Sequence, residues 1–126
     1  MNMGVLEAID VMLEDETWED VCKADDLIEN IGVCALVGTR QIAIFRLGQT
    51  DQLFAIDNYD PFSDANVLAR GVVGDLRGQP VVASPIYKQH FNLHSGQCLE
   101  DESVSLDIFE IRVVDGMVQI LLPHQL

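Results

Sequence analysis

Near the end of the chain Phe109, Ile111 and Val113 alternate with Glu110 and Arg112, and Asp115-Gly116 then leads into MVQILL. Alternation at period two is the mark of a half-buried strand. Asp-Gly between two such runs suits a type I′ turn, because both of its central residues need positive φ. The sequence therefore dictates a β-hairpin here. A lone hairpin is marginal in water, so its apolar face must lie on further strands.

Those strands are legible upstream. GVCALVG (32 to 38) and QIAIFRL (41 to 47) are apolar runs parted by Thr39 and Arg40 beside Gly38, and LFAIDN follows the turn-rich GQTDQ. They predict a three-stranded meander. Residues 58 to 105 are richer in Pro, Gly and Asp, with short apolar pieces at 72 to 73, 81 to 83 and 91 to 93. They predict a loop-rich layer carried on a β scaffold, the usual setting for a binding surface. At the start, Val5, Leu6, Ile9, Met12 and Leu13 recur at helical spacing, so residues 4 to 15 predict a short amphipathic helix. Glu14, Asp15 and Glu16 oppose its dipole at the C-terminal end. The organisation expected is an acidic, helical segment over residues 1 to 16 and one mostly β domain over 17 to 126.

With 126 residues the chain has room for a single core. No apolar stretch approaches the roughly 20 residues of a bilayer span, and the acidic start has no basic leader, so the expected location is the cytoplasm. Cys22, Cys34 and Cys98 are odd in number and scattered, which fits reduced thiols better than a disulfide framework. Cys34, inside an apolar run, is assigned to the core. The net charge of −14 repels nucleic acid phosphate and anionic lipid, which argues against both as partners. Residues 1 to 30 hold ten acids and one base, Lys23, and so carry −9 of it. Such a face is either solubilising or made to dock on a basic surface.

Two stretches are more specific, FAIDNYDPFSDA (54 to 65) and ASPIYKQHFNLHSGQCL (83 to 99). Together they resemble the two cluster-binding loops of a Rieske domain, one C-P-H entered from a strand ending A-[IL]-D, the other C-P-x-H-G-W-x-F-D-L-x-x-G. Ala55, Ile56 and Asp57 match the strand, Pro61 the first loop, and Pro85, Phe91, Leu93 and Gly96 the second. The resemblance implies a Rieske-like β-sandwich with an inserted loop-rich, cluster-binding-like subdomain. It is strongest to the small subunit of bacterial NAD(P)H-dependent assimilatory nitrite reductase, from Trp18 to about Leu122.

Aligned by the prolines, the four ligand positions are Asp60, Phe62, Ser84 and Tyr87. A Rieske centre takes two thiolates and two imidazoles. Asp and Ser are hard oxygen donors and Phe has no lone pair, so no cluster, no metal and no cofactor is expected. His90 and His94, read as one strand, would hold their rings about 13 Å apart and could not share an ion. Asp57, Asp60 and Asp64 crowd one loop, but without the ligand count or tight Gly turn of a calcium site they read as a solvated loop.

The resemblance implies a partner, a large subunit carrying FAD, an iron-sulfur cluster and sirohaem that reduces nitrite to ammonia. This chain would support or regulate that subunit with no catalytic site of its own. The expected contact is the loop tip: Tyr59, Pro61, Phe62, Pro85, Ile86 and Tyr87, with Lys88 and His90 as a basic rim. Two fates for these side chains stay open, an exposed apolar knob or a filling for the vacated cluster volume. The alternative function is a degenerate ferredoxin-like component, or a ligand-binding β module, serving another oxidoreductase.

Overall fold

The computed structural model describes residues 16–48 and 51–123. The helix expected over 4 to 15 lies outside them. The described residues form twelve strands in chain order: β1 Glu16–Lys23, β2 Val33–Val37, β3 Arg40–Leu47, β4 Gln52–Asp57, β5 Tyr59–Asp60, β6 Ala65–Asn66, β7 Val72–Leu76, β8 Gln79–Ala83, β9 His90–Asn92, β10 Ile108–Phe109, β11 Ile111–Val114 and β12 Met117–Pro123. Short 3₁₀ turns sit at Ala24–Asp26 and Leu68–Arg70. The fold is mostly β.

The meander is present as β2, β3 and β4, paired antiparallel within a four-stranded sheet of order β10-β4-β3-β2. Both faces of this sheet are covered. Ile42, Ala43, Ile44 and Phe45 of β3 are each 0% exposed, which a strand solvated on one side could not achieve. On one face Ile42, Ile44 and Ala55 pack with Val118 and Ile120, from a second sheet of order β1-β12-β11. These two sheets make the sandwich. On the other face Ala43, Phe45, Phe54 and Ile56 pack with Leu68, Val82, Phe91 and Leu93 from the inserted segment. The central sheet thus divides two apolar cores, its alternate residues feeding each.

The hairpin forms at Asp115 and Gly116, whose φ values of 52° and 77° are those of the predicted turn. Its first strand is shorter than the alternation suggests. Ile108 and Phe109 pair with Ile56 and Ala55 in the central sheet, whereas Ile111 to Val114 pair with β12 in the other. One alternating run therefore crosses between the two layers at Glu110.

The insert is also more ordered than a loop layer. β7, β8 and β9 form a three-stranded antiparallel sheet, with Arg77 and Gly78 at φ 55° and 81° making a second turn of the same kind. Arg-Gly lacks the Asn or Asp that makes such a turn obvious in sequence.

Candidate functional site

Two loops leave the insert side by side. The first begins where β4 ends. Asn58 is buried, and its carboxamide accepts from the Ala69 amide at 2.7 Å and donates to Gln41 Oε1 at 3.2 Å. This residue was not singled out from sequence; a lone Asn closing an apolar strand was the available signal. Tyr59, Asp60, Pro61 and Phe62 follow, and the hairpin of β5 and β6 returns the chain to Asn66. The second loop leaves β8 at Ser84. It closes through the Ser84 amide to Gln89 O at 2.9 Å and the Lys88 amide to Ser84 O at 3.2 Å, with Lys88 at φ 69°.

Asp60 and Ser84, each 0% exposed, bring the loops together. The Ser84 hydroxyl donates to Asp60 Oδ2 at 2.5 Å, the Ser63 hydroxyl donates to the same oxygen at 2.9 Å, and the Phe62 amide donates to Oδ1 at 2.9 Å. A buried carboxylate survives only when its lone pairs are met. Here three donors from two loops meet them.

The other two aligned positions diverge. Phe62 is half-buried and packs on the inner core, its ring 6.2 Å from that of Phe91. Tyr87 is 62% exposed. Around it Pro61, Ile86 and Lys88 are exposed, while Tyr59 and Pro85 are half-buried. The Tyr59 hydroxyl donates to Asp64 at 2.6 Å; that bond, partial burial and the neighbouring acids push its ionisation upward. His90 is half-buried and tied to Glu100, its ring Nδ1 at 2.7 Å from one carboxylate oxygen and its amide at 2.7 Å from the other. Glu100 is the second residue missed in sequence.

Several expectations need correction. Cys34 is exposed, not core, because β2 is an edge strand and alternate residues of its apolar run face outward. The buried thiol is Cys98, 0% exposed among Leu93, Leu106 and Phe91. The strand expected to carry both histidines ends at Asn92. Leu93 turns into the core, and His94 sets its ring edge-on to Phe54 with centroids 4.9 Å apart. The three aspartates do not form the solvated loop expected of them, since Asp60 is fully buried. Asp57 pairs with Arg40 at 3.3 Å, Asp60 joins the loops, and Asp64 holds Tyr59. Among the described residues no three His, Cys, Asp or Glu converge as a metal site.

Residues 17–121 match the family described as a Rieske-like [2Fe-2S] domain. The nitrite reductase (NADH) small subunit of Escherichia coli (strain K12) is 50% identical over 103 residues, covering 82% of this chain and 95% of that protein. The chain belongs to the Rieske-like [2Fe-2S] domain family, among its nitrite reductase small subunits. The NMR structure of the E. coli protein NirD is 49% identical, covers 84% of this chain and 96% of that one, and superposes with a TM-score of 0.78. Another relative differs in size. The nitrite reductase [NAD(P)H] large subunit of Klebsiella oxytoca is 40% identical over 106 residues, which are 84% of this chain but only 11% of that protein.

The family's name implies a [2Fe-2S] cluster, which needs two thiolates and two imidazoles. The donor set present is a carboxylate, a hydroxyl, a phenyl ring and a phenol, and the first two already satisfy each other across the gap between the loops. These residues do not fit the cluster.

Proposed function

We propose that this chain is a non-redox small subunit of an NAD(P)H-dependent nitrite reductase, working in the cytoplasm. In this reading it binds the large subunit through the two-loop tip and carries no electrons itself. The observation that carries the reading is 50% identity to the E. coli small subunit along 95% of that protein. The Klebsiella match supports the choice of partner, because a stretch 40% identical to this chain forms part of a protein named as a large subunit. Covalent inclusion in one organism and a separate chain in another suit a domain that works against the same catalytic protein. Flavin, iron-sulfur and haem chemistry then belong to the large subunit. This chain contributes a docking surface, with Pro61, Ile86 and Tyr87 as its exposed apolar part and Lys88 at its rim.

The test uses Phe62 and Tyr87 against each other. Tyr87→Ala should weaken binding to the large subunit by about 2 kcal/mol or more and leave the domain's melting point near that of the wild type. Phe62→Ala should instead cost about 2 to 4 kcal/mol of fold stability, since its ring packs on the core. Wild-type affinity in a well-folded Tyr87→Ala variant would exclude the tip as the interface. Stoichiometric iron with acid-labile sulfide in the purified chain would overturn the non-redox role.

A further inference from the structure

In a Rieske domain the two loops share a cluster, and the metal joins them. Here a buried hydrogen bond spans the same gap. Asp60 and Ser84, which the resemblance aligns by the retained prolines with the two thiolate positions of a Rieske domain, are both 0% exposed and 2.5 Å apart. Asp60 takes its other hydrogen bonds from its own loop, the Phe62 amide and the Ser63 hydroxyl. Ser84 in turn accepts from the Ile86 amide at 3.3 Å in the second loop. The chain of contacts runs from Phe62 through Asp60 and Ser84 to Ile86, so the backbone of each loop is referred to that of the other.

We propose that Asp60 and Ser84 form a positioning pair that replaces the metal as the link between the loops. The pair fixes Pro61 of one loop and Ile86-Tyr87 of the other as a single preorganised surface. Neither residue reaches that surface. Their effect on a partner is indirect, through lost freedom in two otherwise independent loops, each of which would have to be ordered on binding. A buried network in which every member is satisfied rigidifies and specifies one arrangement, whereas a half-satisfied one does not. The consequence for recognition rests on the tip being the docking surface; the coupling of the loops does not.

The experiment is amide hydrogen exchange on the full chain, read crosswise. Ser84→Ala lies in the second loop but should raise exchange at the Phe62 amide of the first at least tenfold. Asp60→Leu lies in the first loop and should do the same at the Lys88 amide of the second. Amides of Ala43 and Phe45 in the central sheet should stay within twofold of wild type, which separates loop release from global unfolding. Ser63→Ala removes a bond to the same oxygen from within the first loop, and should leave Lys88 unchanged. The double variant should exchange no faster than the worse single one, as expected for two partners in one interaction. Effects confined to the mutated loop, or equal acceleration everywhere, would overturn the positioning role.

Binding to the large subunit supplies a separate arm. If Tyr87→Ala loses affinity, Ser84→Ala should lose about tenfold as well although it touches nothing at the surface. Loss with Tyr87→Ala but none with Ser84→Ala would refute preorganisation while sparing the docking surface. Crosswise exchange with wild-type affinity in Tyr87→Ala would refute the docking surface while sparing the coupled loops.

Discussion

Cys98 and Cys34 show what a single side chain inherits from its strand position. Burial pushes the thiols of Cys22, Cys34 and Cys98 upward, so none is primed as a thiolate. Access then decides their order of reaction. With Cys34 exposed, Cys22 half-buried and Cys98 enclosed, an aromatic disulfide reagent should modify Cys34 first and Cys98 only as the domain opens. Three thiols should titrate in denaturant without reductant; a lower count would reveal a disulfide. Glu100 gives a second expectation at this scale. Partial burial pushes its carboxyl up, but the hydrogen bonds and charge of His90 outweigh that and hold it below its ordinary 4.5. A carboxyl lowered by folding stabilises the fold above its unfolded value, and that contribution fades as pH falls through the folded value. Because the side chain is 47% exposed, the effect is small. Glu100→Gln should cost about 0.5 kcal/mol at pH 7, with the difference from wild type fading as the pH falls below the ordinary 4.5 and through the lowered folded value. A difference that persists in acid would mean that packing, not charge, is lost.

The turns carry the clearest test among the elements, since two glycines with similar φ sit in opposite surroundings. Gly116, at φ 77°, has open space where a Cβ would be, so Gly116→Ala faces only the left-handed conformation and should cost about 1 kcal/mol. Gly96, at φ 79°, would place a Cβ 2.1 Å from the Leu106 carbonyl oxygen, a main-chain atom that cannot swing aside. Gly96→Ala should lower the melting point several times further than Gly116→Ala. Equal losses would show that the 106 segment gives way. The same elements show what a sequence discloses. Asp115-Gly116 announced its hairpin because the residues fit the dihedrals, and the meander was legible because its runs are long and apolar. The crossing at Glu110 was not, since period two continues through it and only the pairing partner changes from β4 to β12. Nor was β7-β8-β9, whose strands are short and whose turn is Arg-Gly. At the site, the four aligned positions could be read from the retained prolines. Their hydrogen bonding could not, because Asp60 and Ser84 are 24 residues apart and meet only through the fold.

For the whole molecule, charge and apolar contact should act on different steps of association. The chain carries −14, from 21 acidic and 7 basic residues. A field of that size steers encounter with a basic surface from beyond contact range, and salt screens it over about 8 Å at physiological strength. The tip is built differently. If the tip is the docking surface proposed above, its exposed apolar side chains, Ile86 at 44% and Tyr87 at 62%, act only once desolvated and should govern how long a complex lasts. Raising salt from about 0.05 M to about 0.5 M should therefore slow association with the large subunit by about tenfold and change dissociation by less than about threefold. Tyr87→Ala should do the reverse, speeding dissociation with little effect on association. Stopped-flow or surface-based kinetics at two salt concentrations, on wild type and Tyr87→Ala, gives an association and a dissociation rate under each of the four conditions. An association rate indifferent to salt would mean that the acidic surface serves solubility and that the docking face of the partner is not basic. Salt acting on dissociation instead would place ion pairs, not the apolar tip, at the centre of the interface.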